Sequence, residues 1–244
     1  MNKMVAVAFL LVPTLGIAGS AKRIGIAVEL PAGMEGQRAE YERLIMSSRD
    51  EVLAWFAKFG LPIAAADLID RAVVYPDVES LRQGVAKVFG DDPKKIPDTF
   101  SGTVNGKTLY VISEEAFHPI WRKLYPDWPW SRGSYRSLVV HELAHRAHAY
   151  VSSRLTGNED SMGPSWFFEG LAVMCAGQFA AGEKPMKVAE IRSYVCSDKA
   201  PKVAYPLYGR LVRNLALFIP VKTLVEKAAE PGFPCELLPV VNKP

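Results

Sequence analysis

The sequence predicts an α+β fold, with a small mixed sheet first and a mainly helical part after it. Three observations carry this. Short β-branched runs, IGIAVEL and RAVVY, are interleaved with stretches of helical spacing in the N-terminal half. An Asn105-Gly106 pair sits between β-formers, the usual chemistry of a two-residue hairpin turn. The C-terminal third reads as helices separated by Pro185, Pro201, Pro220 and Pro231. Strands mixed with helices, then helices alone, is an α+β order.

Ile24 to Leu30 is the first expected strand, stopped by Pro31. Glu35 to Phe59 has its apolar residues (Tyr41, Leu44, Ile45, Val52, Leu53, Phe56) at helical intervals, and Gly60 and Pro62 end the run. Arg71 to Tyr75 is a short second strand. Asp77 to Phe89 is a second helix, capped by Asp77 or its neighbour and closed by Gly90. Gly102 to Ser113 forms the hairpin, and its second arm, Lys107 to Ile112, alternates like a strand at a sheet edge. Trp121 to Gly133 (WRKLYPDWPWSRG) is an aromatic loop broken by prolines. Ser134 can cap a helix running to about Arg154. A polar loop, Thr156 to Pro164, leads into a second apolar helix, SWFFEGLAVMCAGQF.

The 244 residues are 49% apolar and 23% charged, enough for one good core. One domain over 21–244 is expected, its α/β part extending to about residue 155 and its helical part following. A net charge of +3, scattered along the chain, gives no argument for nucleic acid. Residues 1–20 have the layout of a secretory signal peptide: Lys3, an apolar run from Met4 to Ala18, then Ala18, Gly19 and Ser20. The run is shorter than the roughly 18 apolar residues of a membrane span, and Pro13 interrupts it. A periplasmic or secreted protein is therefore expected, with no stable membrane insertion after cleavage.

Export would place Cys175, Cys196 and Cys235 in an oxidising compartment, where they can form one bridge. The loop-like surroundings of Cys196 and Cys235 favour that pair among the three possible ones. Cys175 sits in an apolar run and reads as a buried thiol. None has a CxxC partner, which excludes a cysteine zinc site.

Residues 141 to 150 read HELAHRAHAY. On a helix His141 and His145 lie on one face, their Cβ atoms about 5–6 Å apart. Both can reach one Zn²⁺, which accepts imidazole nitrogen at about 2.0–2.1 Å. Glu142 is offset by about 100° around the axis. It is placed to act on a water as general base rather than to ligate the same ion. A catalytic zinc needs a third protein ligand. Glu169, inside WFFEGLAVM, is the candidate, because an unpaired carboxylate in so apolar a run would be costly to bury.

HELAH followed by WFFEGLA resembles the gluzincin zinc metallopeptidases, especially small domains of the peptidase-MA type. The resemblance covers roughly residues 107 to 227. It implies a zincin-like fold, in which one helix gives two histidines and the base and a second helix gives the glutamate ligand. It implies an edge strand before the first of these helices, a place that LYVIS fits, able to pair with an extended peptide. It also implies a tyrosine that donates to the oxyanion of the tetrahedral intermediate. AYPLYGRLVRNL offers Tyr205 and Tyr208. The interval to Val212 and Leu215 suits Tyr205 better, provided that Pro206 falls in the first helical turn.

Other residues fit plainer roles. His148 fits a partly exposed helix histidine better than a supporting group at the metal. Arg146 and Arg154 fit a solvated face, and His118, before Pro119, a loop. Trp121, Trp128 and Trp130 fit packing of a loop onto the core better than the wall of a cleft. Gly170 and Ala172 are small enough to let the Glu169 helix approach the HELAH helix.

The expected function is that of an exported zinc-dependent peptidase acting on a peptide or protein substrate, endopeptidase favoured over exopeptidase, with His141, His145 and Glu169 as ligands and Glu142 and Tyr205 as catalytic groups. The alternatives are a zincin-like module that keeps the metal and cleaves nothing, or a hydrolase of cell-wall peptides. Glu142 argues against the module, since a purely structural site needs no base.

Overall fold

The computed structural model describes residues 25–197 and 204–239. The expected signal peptide lies outside the described residues. Strand β1 (Ala27–Glu29) is followed by helix α1 (Arg38–Lys58), the four-residue helix α2 (Ala65–Leu68), strand β2 (Arg71–Tyr75) and helix α3 (Val78–Phe89). The hairpin β3 (Gly102–Asn105) and β4 (Thr108–Ile112) leads to α4 (Glu114–Leu124), and α5 (Arg132–Thr156) carries HELAH. Then come α6 (Ser165–Cys175), α7 (Val188–Val195), α8 (Tyr205–Leu215) and α9 (Val221–Lys227). This is a mixed α+β architecture with a helical C-terminal part.

The sheet order is β1-β2-β4-β3. Strands β1, β2 and β4 are parallel neighbours, and β3 pairs antiparallel with β4, Gly102 opposite Val111 and Asn105 opposite Thr108. The expectation that Lys107 to Ile112 lies at the edge is therefore corrected. Strand β4 is interior, and the first hairpin arm, β3, is the edge. Leu109, Tyr110, Val111 and Ile112 are all buried, as a strand covered on both faces requires.

Helix α1 turns Tyr41, Ile45, Val52 and Phe56 toward α5. Helix α5 is the central rod, with Val139, Val140, Leu143, Ala144 and Ala147 essentially fully buried. Its start differs from expectation. Ser131 is the cap, and Ser134 completes a capping box by accepting from the Ser131 backbone N–H at 3.1 Å. Gly157, left-handed at φ 78°, ends the helix.

His118 and the first residues of the expected aromatic loop, Trp121 to Leu124, belong instead to α4. Ser113 caps it, accepting from the Ala116 N–H at 3.3 Å. Pro119 is tolerated in its second turn, and its presence misdirected the sequence reading. The His118 ring stacks on Trp130 with centroids 4.7 Å apart.

Helices α6 and α8 pack closely along their lengths. A Cβ on Gly170 would fall 2.5 Å from the Tyr208 carbonyl oxygen, and one on Gly209 would fall 2.2 Å from Val173 Cγ1. Gly170 thus serves the approach to α8, not the expected approach to α5. Cys196 and Cys235 are disulfide-bonded and Cys175 is a buried free thiol, the arrangement that the sequence favours. Among the described residues no helix is long and apolar enough to cross a membrane.

Candidate metal centre

The i, i+4 spacing of α5 brings His141 Nε2 and His145 Nε2 to 3.0 Å from each other. Helix α6 lays Glu169 against both. Its Oε2 is 3.1 Å from His141 Nε2 and 3.2 Å from His145 Nε2. Three donor atoms from two helices thus form a nearly equilateral triangle. Among the described residues this is the group of histidine and carboxylate side chains that could hold a metal ion. Burial works to raise the Glu169 carboxyl, but hydrogen bonds and charge from the two imidazoles outweigh it and hold the group down at about 2.

Gln178, which the sequence reading missed, completes the arrangement. Its Oε1 lies 3.1 Å from His141 Nδ1. An amide oxygen only accepts, so Nδ1 carries a ring proton, and on a neutral, ion-bound imidazole Nε2 would then present its lone pair to the triangle. No motif marks Gln178, which follows the end of α6 in a turn.

The donors open onto a cleft of about 490 Å³, which Glu142, Gln178 and Tyr205 also line. The edge segment Ser101 to Val104 forms one wall, and Trp121 and Tyr125 stand on another. Of the three tryptophans only Trp121 reaches this cleft. Trp128 and Trp130 pack the loop, with the Trp128 carbonyl accepting from Trp121 Nε1 at 3.0 Å. A larger cavity of about 700 Å³ between α1, α4 and the start of α5 contains none of the donor residues.

Burial raises the Glu142 carboxyl to about 7, with the His141 charge working against it and the Glu169 charge adding to it. Tyr205 begins α8, with Pro206 in the first turn, and its ring lies 5.7 Å from the His141 ring. Burial, reinforced by the charges of Glu169 and Glu142, pushes its phenol up, so it stays protonated at neutral pH. Tyr208 is buried in the α6–α8 contact and does not line the cleft.

Two readings of α5 are corrected. His148 is 1% exposed rather than partly exposed, and its ring packs on Phe167 at 5.7 Å. Burial lowers it to about 3, so it is neutral, and it does not join the donor triangle. Arg146 is mostly buried and pairs with Glu159 at 3.0 Å. Comparison with protein-family models, with curated proteins and with solved structures found no match.

Proposed function

We propose that this chain is an exported zinc-dependent endopeptidase of gluzincin type. The observation that carries the reading is the triangle of His141, His145 and Glu169 with Glu142 in the same cleft. A tetrahedral zinc at about 2.0–2.1 Å from each donor sets the donors about 3.3 Å apart. The separations of 3.0, 3.1 and 3.2 Å need only a few tenths of an ångström of adjustment. Two imidazoles and one carboxylate are a donor set of catalytic zinc, and three protein ligands leave one position for water or substrate.

The bound ion would supply Lewis acidity toward a water and a carbonyl oxygen. The chain's own residues do the rest. Glu142, poised near neutrality, takes a proton from the attacking water and returns it to the leaving nitrogen. Tyr205, kept protonated, donates to the oxygen on which negative charge develops. An extended substrate pairs with the free edge of β3, since Ser101 to Val104 border the cleft. Among the described lining residues there is no lysine or arginine to grip a chain carboxylate, and no carboxylate besides Glu142 and Glu169 to grip an amino terminus. This supports cleavage within a chain. The Cys196–Cys235 bridge supports an oxidising location.

The test is Glu142→Gln in purified protein, assayed for zinc content and for cleavage of an unfolded protein substrate. The reading expects zinc content equal to wild type and cleavage reduced at least 1000-fold. Equal cleavage by the variant, or no cleavage by zinc-loaded wild type, would defeat it.

A further inference from the structure

The amide that orients His141 has weak support of its own. Gln178 Nε2 reaches Ser137 Oγ only at 3.5 Å, so the backbone that carries Gln178 decides where Oε1 sits. That backbone is unusual. Gly177 and Phe179 on either side are both left-handed, at φ 62° and 57°, and Phe179 is the non-glycine residue with positive φ among the described residues. A bulky side chain there is strained, so something must hold it.

Two features do. The buried Phe179 ring stacks on Trp121 at 5.6 Å and 12°, and lies 4.8 Å from Tyr125 and 5.1 Å from Trp128. From α8, Arg213 donates to the Gln178 carbonyl at 3.2 Å and to the Phe179 carbonyl at 3.5 Å. Glu183 grips the same guanidinium through both oxygens, one at 2.7 Å from Nε. Gly209 leaves room for it, since a Cβ there would fall 3.1 Å from each Arg213 terminal nitrogen.

We propose that Arg213 is a positioning residue for the metal centre: by clamping the Gln178–Phe179 backbone it sets the Gln178 amide against His141 Nδ1 and so raises the affinity of the three donors for their ion. This rests on reading those donors as a zinc site. Arg213 touches none of them and acts through Gln178. The aromatic cage on Phe179 holds the same turn from the cleft side. Hydrogen-bond partners of metal-ligating histidines typically contribute 10–100-fold in metal affinity.

The experiment is a double-mutant cycle on the full chain. Zinc affinity is read by competition with a chromophoric chelator, and site geometry by the absorption spectrum of the Co²⁺ form. Gln178→Leu is expected to bind zinc about 10–100-fold more weakly than wild type, while Gln178→Glu, which keeps an acceptor, retains affinity. Arg213→Met is expected to lose about tenfold and to alter the Co²⁺ spectrum. The double variant should be no weaker than Gln178→Leu alone, because the two act in series. If Arg213→Met does not fold, Glu183→Gln loosens the same clamp, and its loss of affinity should likewise vanish in the Gln178→Leu background. Wild-type affinity in the clamp variants, or losses that add in the double variant, overturns the proposal. Failure of wild type to bind zinc at all would overturn the metal reading beneath it.

Discussion

Gly102, at the start of the edge strand, lies directly against Glu142: a Cβ there would fall 3.0 Å from Glu142 Cγ and 3.3 Å from Cδ. The edge of the sheet and the proposed base are thus in contact. The absence of a side chain at Gly102 sets where the carboxylate can stand.

Enlarging that residue should therefore disturb chemistry before metal binding. Gly102→Val is expected to lower kcat by at least tenfold, since small misplacements of a catalytic group are expensive. Zinc content should stay at the wild-type level. Parallel kinetics and metal analysis check this, and loss of zinc together with activity would place Gly102 in a different role.

Tyr205→Phe removes only a hydroxyl. Its kcat is expected to fall by about 10–100-fold with KM nearly unchanged, because the proposed hydrogen bond is made to charge that develops in the transition state. Tyr208→Phe, in the α6–α8 contact, should leave kcat at the wild-type value.

The raised Glu142 carboxyl has a sign that can be checked in metal-free protein. A folded-state value of about 7 against an ordinary 4.5 means that the stability it contributes is present below about pH 4.5 and is lost as pH rises through 7. Wild type should lose on the order of 3 kcal/mol relative to Glu142→Gln between pH 4.5 and pH 8. Glu169 works oppositely: its lowered carboxyl stabilises above pH 4.5, and that contribution disappears as pH falls through about 2. Urea unfolding at the two pH values measures the first effect. A constant difference between wild type and Glu142→Gln would contradict it.

Gly170→Ala should destabilise the fold by about 1–3 kcal/mol. The added methyl would sit 2.5 Å from the Tyr208 carbonyl oxygen, where neither helix backbone can yield cheaply. Denaturant unfolding measures this, and unchanged stability would mean that α6 and α8 are looser than their packing shows.

The parts of this centre legible in the sequence are those governed by local rules. His141 and His145 share a face because of helix periodicity alone. Glu169 could be nominated because a carboxylate amid Trp166, Phe167, Phe168 and Leu171 needs a partner. Strands β2 and β3–β4 followed from β-branched runs and the Asn105-Gly106 turn. What was not legible depends on tertiary pairing. Nothing local says which hairpin arm faces β2, so the edge was assigned to the wrong strand. Pro119 argued against a helix that a Ser113 cap and buried Phe117, Ile120 and Trp121 sustain. Gln178 and Arg213 meet the site through turns and crossings that no spacing encodes, and His148 is buried because Phe167 covers it.

The most direct test of the central claim is metal stoichiometry by elemental analysis after equilibration with zinc and desalting. One zinc per wild-type chain is expected, with Glu169→Gln binding at least 100-fold more weakly and the His145→Ala variant retaining none. Folded wild-type protein that holds no stoichiometric zinc, or a Glu169→Gln variant that holds it as tightly as wild type, would contradict the account.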